Sequence, residues 1–87
     1  MPEATVTLRN ATGLHARPAK IFTQAAAAKT AGVTVMKDGR EVNGKSVLSV
    51  LTLDCHQGDE IVIRTEGEGA EEALADLVGL VESGLGE

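Results

Sequence analysis

From Ala70 to Val81, the apolar residues Ala70, Ala73, Leu74, Leu77, Val78 and Val81 fall at i, i+3, i+4, i+7, i+8 and i+11, while Glu71, Glu72, Asp76 and Glu82 take the other face. That spacing predicts a helix ending near Gly84, with a single apolar stripe that a second layer has to cover. The rest of the chain offers that layer as short stretches of period two. Ala4, Val6 and Leu8 alternate with Thr5, Thr7 and Arg9, Val33 and Val35 flank Thr34, and Ile61, Val62 and Ile63 lie within a run from Glu60 to Glu66. Each reads as a strand with one face toward a core.

Between these strands the connections are equally legible. Asn10 to Gly13 breaks the first strand, and Ala16 to about Lys29 places Ala19, Phe22 and Ala26, with Ile21, Ala25 and Ala28, at helical spacings before Gly32. Alanine-rich sequence of this kind favours helix. Asp38-Gly39 is a two-residue hairpin signal leading to a third strand from Arg40 to Asn43. Ser46 is an N-cap candidate for a short apolar helix over Val47 to Leu53, and Gln57-Gly58-Asp59 is a turn. The element order is therefore βαββαβα, with no internal repeat or linker. It predicts an α+β open-faced sandwich: one domain over residues 1–87, with a four-stranded, mainly antiparallel sheet and helices on one face.

At 87 residues such a chain is stable only if most of its apolar side chains share one core. Phe22 is its sole aromatic residue, so that core is built from Ala, Val, Leu and Ile. The same scarcity removes base stacking and argues against binding of single-stranded nucleic acid. Met1-Pro2-Glu3 is acidic, no apolar run approaches ~18 residues, and Cys55 is the only cysteine. These features lead us to expect a cytoplasmic protein with no direct membrane binding and no disulfide. The net charge of −5 is divided unevenly: residues 1–45 hold seven basic and three acidic side chains, residues 46–87 one basic and ten acidic. Such a division can steer an acidic partner toward the N-terminal half.

That half contains Gly13-Leu14-His15-Ala16-Arg17-Pro18. Pro18 suits the first turn of a helix, where its missing N–H costs nothing, so His15 falls at a helix N-terminus. Free backbone N–H groups and the positive end of the helix dipole favour an anion there, and the Arg17 guanidinium matches phosphate oxygens. A neutral imidazole beside an anion site is a candidate phosphoryl acceptor.

Gly13 to Ala19, Gly44-Lys45-Ser46 before a short apolar helix, Gln57-Gly58-Asp59 before a strand, and the acidic-apolar last helix together resemble the HPr family. These are the histidine phosphocarriers of the bacterial phosphoenolpyruvate-dependent sugar phosphotransferase system. The resemblance covers essentially the whole chain. It implies three helices on one side of the sheet, a phosphoryl group taken by His15 Nδ1 from phosphorylated enzyme I, and its delivery to IIA domains of sugar permeases. It implies that Arg17 and the backbone of Ala16 and Arg17 hold the phosphate. It further implies that Lys20, Gln24, Lys45, Val47, Leu48 and Leu51 meet those partners, and that the protein is a carrier rather than an enzyme, needs no cofactor and works as a monomer. In some members the serine matching Ser46 is a regulatory phosphorylation site for an HPr kinase. A phosphate there would repel an acidic partner. The competing reading is an HPr-like regulatory binding module uncoupled from sugar transport. The retained His15-Ala16-Arg17-Pro18 favours the carrier.

Three other features carry chemical signals of their own. Gly39 to Ser46 satisfies the P-loop pattern G-x-x-x-x-G-K-[ST]. However, Arg40 to Asn43 reads as strand, and 87 residues cannot hold the parallel α/β domain a P-loop needs. Cys55 and His56 should point apart, the thiol into packing and the imidazole into solvent, and two widely spaced histidines with one cysteine make a poor metal site, so none is expected. Finally, Asp54 stands where HPr proteins usually carry glycine. Aspartate tolerates left-handed backbone better than most residues, but its charge would oppose phosphate on His15.

Overall fold

The computed structural model describes residues 1–86. It contains β1 (Glu3–Thr7), α1 (Ala16–Ala27), β2 (Gly32–Lys37), β3 (Arg40–Asn43), α2 (Val47–Leu51), β4 (Glu60–Glu66) and α3 (Ala70–Glu82). The order matches the pattern expected from the sequence. α1 stops two residues earlier than the alanine run suggests, with Ala28 as its C-cap. The strands form one antiparallel sheet in the order β1-β4-β2-β3. This is the open-faced sandwich that the element order predicts.

Register follows from which side chains must be hidden, because a slip of one residue would turn every buried side chain outward. Val6 faces Ile61 and Ala4 faces Ile63 across β1 and β4, while Val35 lies opposite Ile63 on one side and Val42 on the other. Onto this face α1 packs Phe22 and Ala26, α2 packs Val50, and α3 packs Leu77 and Val81, all but free of solvent. The opposite face is open and carries the Arg64–Glu41 ion pair at 2.8 Å.

The β2–β3 hairpin reaches across to α2. Asp38 and Gly39 both have positive φ, 52° and 83°, which is the backbone of a type I′ turn. From that hairpin, Arg40 Nη1 donates to the Thr52 carbonyl at 2.8 Å and Lys37 Nζ donates to the Asp54 carbonyl at 3.0 Å. The hairpin thereby holds the end of α2 and the loop after it. As β3, Arg40–Asn43 is paired residue by residue with β2, so the P-loop-like motif forms a strand and not a phosphate cradle.

Candidate functional site

His15 is the N-cap of α1, with extended backbone (φ −127°, ψ 159°) and no side-chain capping bond. The residue after it, Ala16, has φ 52°, a left-handed conformation that costs an L-residue about 1–2 kcal/mol. Nothing in the alanine-rich sequence signals that strain. Pro18 is the third helical residue and is buried. Its lack of an N–H falls where helix N–H groups have no intrahelical acceptor anyway.

The segment leading to His15 is seated on the loop that follows α2. Leu14 N–H donates to the Cys55 carbonyl at 3.1 Å, and Asn10 Nδ2 donates to the Gly13 carbonyl at 2.7 Å. Gly13 has φ +64°, and a Cβ added there would stand 2.3 Å from the Cys55 oxygen. Only glycine permits both the conformation and the approach. On the other side, Gly58 N–H donates to the Leu8 carbonyl and Gln57 Nε2 to the Arg9 carbonyl. The two loops thus form one hydrogen-bonded framework.

That framework places Asp54 and His56 beside His15. Asp54 has φ 52°, the left-handed backbone that aspartate tolerates. Its Oδ1 lies 3.2 Å from His15 Nε2 and 3.3 Å from His56 Nε2. The His15 and His56 rings are 5.2 Å apart between centroids and tilted by 42°. His15 Nε2 is buried and, despite the short distance to Asp54, off the line required for a hydrogen bond. The side chain as a whole is 32% exposed, so the accessible part of the ring excludes Nε2. This arrangement differs from the wide spacing that led us to expect no metal site. The histidines are distant in sequence, yet with Asp54 they present donor atoms within 4.8 Å of one another.

Cys55 is fully buried and His56 exposed, as their alternation predicts. Burial pushes the Cys55 thiol up to about 11, only partly countered by the nearby Lys37 charge. Asp59 is held below the usual carboxylate range, first by the His56 N–H at 2.8 Å and then by Lys37. Lys37 is raised, chiefly by its bond to Asp59.

Arg17 is exposed, and its guanidinium has no hydrogen-bond or ion-pair partner among the described residues. Next to it, Ala16, Lys20, Gln24, Lys45 and Val47 line a shallow groove between α1 and α2. Val47 is 38% and Leu48 75% exposed, whereas Leu51 is half-buried. The six residues expected to meet partners therefore fall on α1, on α2 and just before it, and four of them line one groove. Lys45 Nζ is engaged by the Lys29 carbonyl at 2.8 Å. Ser46 caps α2, its Oγ accepting from Ser49 N–H at 3.3 Å. The sequence pointed to His15, Arg17 and Ser46, and the family pattern to Asp54 near the histidine, but the placement of His56 depends on loop packing that no motif reports.

Comparison with known proteins agrees with this architecture. A family model described as the PTS HPr component phosphorylation site matches residues 2–83. The phosphocarrier protein HPr of Streptomyces coelicolor is 50% identical over 88 residues, covering 100% of this chain and 95% of the relative. The HPr-like protein Crh of Bacillus subtilis is 39% identical over 82 residues, covering 94% and 96%. The crystal structure of HPr-C-His from Thermoanaerobacter tengcongensis superposes with a TM-score of 0.97 at 42% identity, covering 100% of this chain and 98% of that one. The chain belongs to the HPr family, whose members are phosphocarriers and not enzymes.

Proposed function

We propose that this protein accepts a phosphoryl group on His15 Nδ1 from phosphorylated enzyme I and passes it to IIA domains of sugar permeases, in phosphoenolpyruvate-driven sugar uptake. The observation that carries the reading is the His15 ring itself: partly exposed, at a helix N-terminus, with Nε2 buried against Asp54. A phosphoryl group brought by another protein has to approach the other nitrogen. A proton on Nε2, facing the Asp54 carboxylate, leaves the lone pair on Nδ1.

As the Nδ1–P bond forms and the donor's bond to phosphorus breaks, positive charge develops on the imidazole. The Asp54 carboxylate, 3.2 Å from Nε2, offsets it in the manner of the carboxylate partner in a catalytic triad. In this reading Asp54 acts across the ring from the phosphate. The arriving dianion meets the backbone N–H groups of Ala16 and Arg17 and the unpaired Arg17 guanidinium. The groove beside Ala16, with Lys20 and Lys45 around Val47 and the exposed Leu48, suits an acidic partner with an apolar centre. A phosphate placed on Ser46 by a kinase would put a dianion between these side chains and oppose that docking.

Incubation with phosphoenolpyruvate, Mg²⁺ and enzyme I tests this directly. Intact mass should gain one acid-labile phosphate in the wild type and none in His15→Ala. Labelling of His15→Ala, or no labelling of the wild type, overturns the carrier reading, and the latter outcome is the one expected of a purely regulatory module.

A further inference from the structure

The phosphoryl-transfer reading uses His15 and Asp54 but gives His56 no role. Yet the fold sets the His56 imidazole against the same Asp54 oxygen that faces His15 Nε2. From these donors we infer that the chain carries a binding site for a divalent transition-metal ion of the zinc class, made by His15 Nε2, Asp54 Oδ1 and His56 Nε2.

The two distances from Asp54 suit such an ion, and all three donor atoms lie within 4.8 Å of one another. Zinc bonded to nitrogen and oxygen at 2.0–2.1 Å in a tetrahedron sets its ligand atoms about 3.3 Å apart. The two separations from Asp54 Oδ1, 3.2 Å to His15 Nε2 and 3.3 Å to His56 Nε2, are tetrahedron edges of that length. Two imidazoles and one carboxylate match the preference of zinc for mixed nitrogen and oxygen ligands, and three protein ligands leave a fourth position for water.

Two further observations point to a ligand. His15 Nε2 is buried and lacks a hydrogen-bond partner, an expensive state for a ring nitrogen that a metal bond would relieve. With a metal on His56 Nε2, the remaining ring proton resides on Nδ1, which faces Asp59 Oδ2 at 3.8 Å. A carboxylate behind a metal-binding histidine is the usual orienting partner. Asp59 is itself held by Lys37 Nζ at 3.0 Å and by the His56 N–H, so this outer carboxylate is fixed.

Occupation has a consequence that rests on the phosphocarrier reading. A metal on Nε2 takes that lone pair, so the remaining imidazole proton resides on Nδ1. The nitrogen that would attack phosphorus then has no lone pair to offer. Metal binding and phosphoryl acceptance oppose each other, and chelation restores acceptance.

The test separates the two ideas. Zn²⁺ titrated calorimetrically into the full chain, without enzyme I, should bind one ion per chain. His56→Ala should weaken that binding roughly tenfold or more, and Asp54→Asn should do likewise. Co²⁺ in place of Zn²⁺ should give the visible absorption of a tetrahedral nitrogen–oxygen site with no thiolate charge-transfer band. Binding unchanged in both variants, a thiolate band from Cys55, or no saturable binding would overturn the site, whatever the outcome of phosphorylation. In the phosphoenolpyruvate assay, with enzyme I phosphorylated and freed of excess metal beforehand, Zn²⁺ should slow labelling of the wild type and spare His56→Ala. Equal inhibition of both, or none of either, would overturn the opposition between metal and phosphate.

Discussion

Lys37 Nζ reaches from the end of β2 to the carbonyl of Asp54 at 3.0 Å and to Asp59 Oδ2 at the same distance, spanning the loop that faces His15. One side chain on the sheet thus fixes both ends of the segment carrying Asp54, Cys55 and His56. Its ammonium is retained over a wider pH range than that of a free lysine because the bond to Asp59 favours the charged form. Replacing it with methionine should leave the sheet intact and loosen this loop. Hydrogen exchange is the measurement: the amides of Asp54, His56 and Gly58 should exchange faster in Lys37→Met, while those of α3 keep their wild-type rates.

Gly13→Ala should be costly although it adds one methyl group. The new Cβ would meet the Cys55 oxygen at 2.3 Å in a backbone with φ +64°. Left-handed strain and steric overlap together predict a loss of about 2–4 kcal/mol, read from urea unfolding. Part of the strain relaxes if the loops separate, so the contact between the His15 and His56 rings should also be lost in NMR spectra.

Cys55 should resist alkylation far beyond the usual pH range. Burial raises its thiol from 9.0 to about 11, so iodoacetamide at pH 8 should modify the urea-unfolded protein readily and the folded protein only slowly. The stability effect has a definite sign. Because the folded value lies above the unfolded one, the stabilisation from keeping a neutral thiol is full below the unfolded value near pH 9.0 and is lost as pH rises through about 11. Cys55→Ala should remove that alkaline slope.

Phe22 fills the centre of the layer between α1 and the sheet and has no solvent exposure. Phe22→Ala should cost about 3–5 kcal/mol, a large part of the stability of a domain this small. With no tryptophan or tyrosine in the chain, far-UV circular dichroism is the appropriate readout of the urea midpoint.

Ser46→Ala should cost about 1 kcal/mol by removing the bond from Ser49 N–H. Because Leu48 remains exposed and Val50 remains buried, phosphoryl acceptance by His15 should change little. An acidic replacement, Ser46→Asp, keeps the cap and adds charge beside the groove. It should slow labelling by phosphorylated enzyme I, with the urea midpoint near the wild-type value.

Taken by itself, the sequence determined the order of elements, the buried face of each strand and the position of His15 at the head of α1. Those properties are local: alternation at Val33 and Val35, the 3.6-residue repeat from Ala70 to Val81 and the backbone of Pro18 act within a few residues. The tertiary structure alone decided what surrounds His15. The left-handed Ala16, the Asp54 oxygen between two imidazoles and the groove beside α2 arise where distant loops meet. Those loops meet because Gly13 has no Cβ to hold the Cys55 carbonyl away and because Lys37, placed by the register of β2, ties down Asp54. Periodicity records which face of an element is buried, but it carries no information about which loop ends the sheet brings into contact.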